Sequence, residues 1–343
     1  MEAPTKKEQL ALPNLIVSVG PHIRTEESVQ AIMWSVSGAL LPATLMAVYY
    51  FGMRALSIIL VSIVTAIISE AVTQKILKKP VTASDGSAFL TGLLVALNVP
   101  SSVPLYIPAV GSFVAIVITK QLFGGLGYNI FNPALIGRAF ILISFPKQMT
   151  TYFEPVASIM SADAKTTATP LGILKEDGLA RLLELFHTKT ALYGDLFWGN
   201  RAGSLGETSV VALLLGAAFL LIKRYITWHI PVTFIVTVGV LTWIFGGKEG
   251  LFTGEAIIHL LSGGLILGAF FMATDYVTGP SIRSAQLIFG IGAGALTALI
   301  RLKGGYPEGV MFAILLMNCF APLLDRRMRS RVFGKAEAKE MRK

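Results

Sequence analysis

The sequence predicts an all-α polytopic membrane protein of about ten transmembrane helices, built as two inverted five-helix repeats with broken helices. Three observations predict it. First, 54% of the 343 residues are hydrophobic and 14% are charged, with a mean hydropathy of +0.68. Soluble domains carry about a quarter charged residues. Second, the apolar residues fall in blocks near 20 long, the length of a helix that crosses a bilayer. Third, residues 87–96 align with 263–272 at an offset of 176, and Gly124-Gly125 aligns with Gly304-Gly305 at an offset of 180. An odd number of helices per copy sets the second copy upside down, as in many transporters.

Residues 1–29 hold Glu2, Lys6, Lys7, Glu8, Arg24, Glu26 and Glu27 without an apolar core, so they read as a cytoplasmic tail and not as a signal peptide. The first repeat, 30–145, contains apolar segments at 30–51, 55–74, 87–99, 103–119 and 129–145. The third of these is short and stops at Asn98-Val99-Pro100, as a half-spanning helix would. Such an element survives in a membrane only inside protein or along a cavity. A connection of about 60 residues follows at 146–207, long enough to be functional in its own right. The second repeat, 208–324, contains segments at 208–222, 228–246, 255–274, 284–300 and 307–324. A basic tail, 325–343, opens with Asp325-Arg326-Arg327-Met328-Arg329.

The net charge of +9 and a pI near 9.6 invite a nucleic-acid reading, but the position of the charge argues against it. With the N-terminus inside, the inner regions hold 18 Lys and Arg and the short outer loops hold 4. That asymmetry predicts both termini in the cytoplasm and the 146–207 connection outside. Nucleic acid is therefore not an expected partner, whereas membrane lipid is. A single cysteine, Cys319, excludes an internal disulfide, a cysteine zinc site and an iron–sulfur cluster. No metal site is expected.

Several residues carry candidate chemistry. Asp163-Ala164-Lys165-Thr166-Thr167-Ala168-Thr169-Pro170 reads by composition as a turn closed by a helix stop. Ser204-x-x-Glu207 has capping-box spacing at the start of the sixth segment, and a helix start also favours anionic groups. Asn129 and Asn132 lie three apart, which places them on one helix face. There they either bond between helices or meet the polar edge of a bound group. Arg138 lies within a segment and must pair with an acid or phosphate, or else snorkel. Asp275 stands at a broken-helix position, as an ion-path candidate or a solvated end; Glu70 reads as a solvated helix end. The histidines, His22, His187, His229 and His259, show no paired ligand spacing.

The spacing Asp163-x-x-Thr166-x-Ala168-Thr169 resembles the flavinylation motif at which a transferase links FMN to threonine through a phosphodiester. Phe131-Asn132-Pro133-Ala134-Leu135 and Gly137-Arg138-Ala139-Phe140, residues 203–209 and residues 268–275 are similar to the RnfD/NqrB family over nearly the whole chain. Thr166 and Thr167 stand where the RnfD motif often has Ser and Gly, a mild departure. The resemblance implies an electron-carrying flavoprotein subunit of the Rnf-type ferredoxin:NAD oxidoreductase, coupled to Na⁺ or H⁺ movement, in a bacterial or archaeal cytoplasmic (inner) membrane. It implies covalent FMN on Thr169, with Asp163, Thr166 and Ala168 serving recognition. It also implies a second, non-covalent flavin (riboflavin), for which Asn129 and Asn132 are candidates; Arg138, Ser204 and Glu207 are further cofactor-binding candidates. The chain lacks a nucleotide loop and cluster cysteines, so no catalytic residue is expected in it alone. Its implied partners are the other Rnf subunits: membrane subunits, the FMN-bearing G subunit, and iron–sulfur and NAD-binding subunits. Two alternatives stand: the B subunit of the sodium-pumping NADH:quinone reductase, and a small-solute channel, since the inverted repeat resembles urea and ammonium channels. A channel has no need of the 163–169 stretch.

Overall fold

The computed structural model describes residues 27–155, 166–247 and 250–329, and these are mostly helical. Helices α1 (Val29–Ala39) and α2 (Leu41–Ile76) run on from one another, but α2 breaks at Gly52, whose φ of 64° and ψ of −152° suit only glycine. The break falls between the first and second apolar segments. Helix α3 (Ser87–Leu97) stops at Asn98, and α4 (Tyr106–Phe113) continues as a π-helix over Val114–Gln121. Helix α5 (Pro133–Ser144) begins only at Pro133, because Asn132 caps it by accepting from the Ala134 and Leu135 amides. Asn129 and Asn132 therefore do not share a helix face; an Asn-Pro pair starts a helix instead of lying within one.

The long connection carries α6 (Pro146–Met149), strands β1 (Tyr152–Phe153) and β2 (Thr166–Thr167) paired antiparallel, α7 (Pro170–Glu176), α8 (Leu179–Phe186) and α9 (Lys189–Trp198). Ile173, Leu182, Leu192, Leu196 and Ile258 form its own small core. The connection is tied to the helices below: Ser102 Oγ donates to the Thr151 carbonyl at 2.5 Å and Tyr50 Oη donates to the Trp198 carbonyl at 3.2 Å.

Helices α10 (Val210–Ile222), α11 (His229–Phe245) and α12 (Ala256–Leu261) follow, then α13 (Leu265–Leu267) running into a π-helix at Gly268–Met272. Helices α14 (Arg283–Lys303) and α15 (Val310–Met328) complete the described chain. Small residues permit close approach: Gly290 and Gly294 on α14 face the Ile230 and Phe234 carbonyls of α11, the small-xxx-small device of membrane helices.

The solvent this surface suits is lipid. Along α2, Leu41, Leu45 and Tyr49, then Leu60, Val64, Ile68, Val72 and Ile76, are exposed at four-residue spacing, while Ala43, Ala47, Ala55, Ser62, Ala66 and Glu70 face inward. Large apolar groups outside and small or polar ones inside invert the soluble pattern. Val29–Ile76 and Arg283–Lys303 are the two described stretches long and apolar enough to cross a membrane by length and composition.

Candidate functional site

The buried centre of the site is a charge cluster gathered from four parts of the chain. Arg138, on α5, is an interior cation that burial would make costly unless paired. It donates to Glu308 and to Asn98 Oδ1 at 2.9 Å, and its Nη2 lies 3.7 Å from Glu207 Oε1. Asn98 is available because α3 ends there, and its own Nδ2 donates to the Leu94 carbonyl at 2.7 Å. Arg201 sits beside the cluster and donates to the Glu207 carbonyl oxygen at 2.5 Å. Of the two carboxylates, Glu207, in the loop ahead of α10, is held above the usual carboxylate range by burial and by the charge of Glu308. Among the described residues, Arg138 Nε, Glu207 Oε1 and Glu308 Oε1 have no hydrogen-bond partner.

Above the cluster lies a cavity of about 380 Å³, lined among others by Arg138, Tyr152, Ala168, Thr169, Tyr306 and Glu308. The sequence suggests an exposed acceptor at Thr169, but the residue is buried, at 7% exposure. It takes extended backbone as the cap of α7, and its Oγ1 accepts from the Gly172 amide at 3.2 Å. Gly305, Tyr306, Pro307, Glu308, Met311 and Phe312 line the same cavity. Thr166 pairs with Phe153 in the hairpin and stays exposed, as does Ala168; Asp163 lies outside the described residues.

The other candidates separate. Ser204 and Glu207 do not form a capping box at the sixth segment: they bracket a 3₁₀ turn, Leu205–Glu207, and α10 is capped by Ser209, which accepts from the Ala212 amide. The Glu207 side chain turns instead toward Arg138. Asn129 donates to the Phe131 carbonyl, and Asn132 Nδ2 donates to the Met272 carbonyl at 3.3 Å, joining the two halves of the chain. Both asparagines line a different, smaller cavity of about 90 Å³, with Lys120 and Asp275.

Glu70 is not a solvated end. It is 1% exposed and paired with Lys120, which is equally buried. Lys120 and Arg301 count among the loop cations by sequence, yet Arg301 is also buried and donates to the His259 and Ser262 carbonyls. One cation thus leaves each side of the charge count, and the imbalance stays. Two histidines lie apart from the cluster: His229 stacks on Trp228, with ring centroids 4.3 Å apart, and His259 is buried on α12. Among the described residues, no group of three or more His, Cys, Asp or Glu side chains is placed to hold a metal ion.

Sequence reading misses Glu308, Arg201, Asn98 and Tyr152. Glu308 leaves a trace, as an acid at the edge of the last apolar segment, and Asn98 does so as the stop of the third.

A lipid-suited helical body with a buried charge cluster beside a helix-capping threonine defines a membrane protein with an internal polar site. The chain belongs to the NQR2, RnfD, RnfE family, which matches residues 16–334. It is 54% identical over 318 residues to the D subunit of the proton-translocating ferredoxin:NAD(+) oxidoreductase complex of Clostridium ljungdahlii, covering 93% of this chain and 96% of that protein. It is 44% identical to the D subunit of the Na(+)-translocating ferredoxin:NAD(+) oxidoreductase complex of Acetobacterium woodii, with 95% and 98% covered. To the D subunit of the ion-translocating oxidoreductase complex of Stutzerimonas stutzeri it is 41% identical, with 90% and 93% covered.

Proposed function

We propose that this chain is the D-type membrane subunit of an ion-translocating ferredoxin:NAD oxidoreductase and carries FMN in phosphodiester linkage on Thr169. The family and the names of the relatives support the first part and favour it over a quinone reductase. The cavity beside Thr169 supports the second. Its roughly 380 Å³ falls within the range of small-molecule pockets, about 300–1,000 Å³. Its wall carries a guanidinium and a carboxylate with unused hydrogen-bonding capacity, which suits a flavin's carbonyls and ring nitrogens.

Thr169 would hold the cofactor, and Arg138, Tyr152 and Glu308 would orient it and exclude water. The flavin, when bound, supplies the electron chemistry; the chain supplies position and electrostatic surroundings. Ferredoxin, NAD and iron–sulfur chemistry fall to other subunits. Because Thr169 caps α7 and is buried, the connection has to open locally for a transferase to reach Oγ1.

In the same reading, the ten apolar segments cross the membrane as two inverted five-helix repeats. Both termini then face the cytoplasm and the 146–207 connection faces outside. The exposed apolar stripes and the charge imbalance support this. The non-covalent flavin is not assigned to Asn129 and Asn132. Their cavity of about 90 Å³ is below the range of flavin-sized pockets, and the Asn132 amide already serves α5 and Met272.

The mass of the mature chain tests the flavin. One FMN, mapped to the peptide with Thr169, is expected; an unmodified mass in a complex that transfers electrons from ferredoxin to NAD overturns the attachment.

A further inference from the structure

The buried pair of Glu70 and Lys120 has no part in the Thr169 site, and its surroundings point to a task. Glu70 comes from α2, and Lys120 from the π-helix that extends α4. Lys120 Nζ lies 2.8 Å from Glu70 Oε1 and 3.0 Å from Oε2. Gln121 Nε2 donates to Oε1 at 2.8 Å and Gln74 Nε2 at 3.2 Å. The π-turn is what lets adjacent residues, Lys120 and Gln121, reach the same carboxylate; such turns recur at functional sites.

The third bond of Lys120 is the informative one. Nζ donates to Ser87 Oγ at 2.6 Å, and Ser87 Oγ donates to Asp85 Oδ1 at 2.5 Å. Asp85 stands half-buried at the entrance to α3. Lys120 and Ser87 also line the cavity of about 90 Å³, as does Asp275. A site needs about 10–15 Å³ to hold one water, so several fit. An unbroken run of donors and acceptors thus leads from the protein's edge, through one hydroxyl, to an ammonium at an internal cavity.

From this geometry we propose that Lys120, Ser87 and Asp85 form a proton relay between the cavity and the protein's edge, with Glu70 fixing the Lys120 ammonium at the cavity wall. The proposal rests on the ion-translocating reading above and names the ion as H⁺. The donors run from Lys120 through Ser87 to Asp85, and the hop follows them: Ser87 gives its hydroxyl proton to the Asp85 carboxylate and takes one from the Lys120 ammonium. The amine regains a proton from cavity water, and Asp85 releases its proton to bulk water. One proton passes from the cavity to the protein's edge, no group is oxidised, and the electron transfer of the complex drives the cycle. A sodium ion fits this place poorly: every hydrogen-bond contact to Glu70 is an N–H donor, whereas hard cations need several oxygen ligands. An amine, unlike a guanidinium, can give up its proton within a protein.

Two variants separate a relay from a mere structural pair. Lys120→Arg keeps a cation against Glu70 but cannot deprotonate. Ser87→Ala removes the hydroxyl link and leaves the ion pair in place. In the complete complex reconstituted in liposomes and driven by reduced ferredoxin with NAD, both variants are expected to keep electron transfer. Both are expected to lose proton movement per electron, read by a pH-sensitive dye. Either variant pumping protons at the wild-type ratio overturns the relay, as does a wild-type complex that moves ²²Na⁺ and no protons. A wild-type complex without ferredoxin:NAD electron transfer overturns the functional reading itself, a separate result.

Discussion

Arg138 and Glu308, 170 residues apart in the chain, meet as an ion pair on the wall of the cavity that Thr169 lines. The pair ties α5 to the loop before α15 and gives an interior cation its counter-charge. With Asn98 and Glu207 also in reach, the guanidinium links the end of α3 and the loop before α10 as well.

Removing that cation leaves the buried Glu308 carboxylate without its ion-pair partner. Arg138→Met is expected to destabilise the chain by about 3–5 kcal/mol, the usual cost of leaving a buried charge without its partner. Combining Arg138→Met with Glu308→Gln should recover part of the loss, because fewer charges remain uncompensated. Thermal unfolding of the detergent-purified protein measures both. An unchanged midpoint in the single variant would show that the cluster is solvated and does little for the fold.

Thr169 plays two parts that a single replacement confuses. Thr169→Ala removes the acceptor oxygen and also the α7 cap, a loss of roughly 0.5–2 kcal/mol. Thr169→Asn keeps a capping oxygen, adds no charge to the buried cavity and offers no hydroxyl. The asparagine variant is expected to melt near the wild type, to show no covalent flavin by mass, and to give no fluorescent band on a denaturing gel under ultraviolet light. Flavin persisting on it would move the attachment elsewhere, with Thr167 the next hydroxyl to replace.

What the sequence reveals, and what it hides, divides along chain distance. The apolar blocks, the early stop of α3 at Asn98 and the isolation of Arg138 inside a segment are local patterns, and they are legible. The partners of Arg138 are not, since no periodicity joins residue 138 to residue 308. Thr169 shares its cavity with residues more than 130 positions away, so an exposed loop is the natural expectation. Two misreadings are local and avoidable. Asn132-Pro133 is a cap followed by a first-turn proline, so it starts a helix. Ser209, nearer the apolar run than Ser204, caps α10. Lys120 is hidden for a different reason. A lysine near the end of an apolar block looks like a loop charge until Glu70, 50 residues away, is seen to face it.

Close helix contact gives a test independent of charge. A Cβ built on Gly137 of α5 would collide with the Gly111 carbonyl of α4 and crowd Ala115. Gly137→Val therefore has to push the two helices apart and is expected to cost about 1–3 kcal/mol through overpacking. Gly194, on α9, has open space around its Cβ position, so Gly194→Ala is the matched control. Thermal midpoints should fall for the first variant and hold for the second. A Gly137→Val protein as stable as the wild type would mean that α4 and α5 are not in contact at this point.

Sidedness is the last prediction, and it rests on the charge imbalance between the two sets of loops. Glu184 on α8 is 64% exposed in its side chain and belongs to the connection proposed to face outward. Lys75, in the last turn of α2, is exposed and belongs to the basic set proposed to face the cytoplasm. The native thiol, Cys319, is exposed and has to be removed first, as Cys319→Ser. On that background, Glu184→Cys should react with an impermeant maleimide in intact cells, and Lys75→Cys only after permeabilisation. Both replacements fall on surface positions where a side-chain change shifts stability by about 0.5 kcal/mol or less, so misfolding is not expected to blur the readout. The opposite labelling pattern would invert the topology and place Thr169 on the cytoplasmic side. Equal labelling of both sites in intact cells would deny that the helices between them separate two compartments.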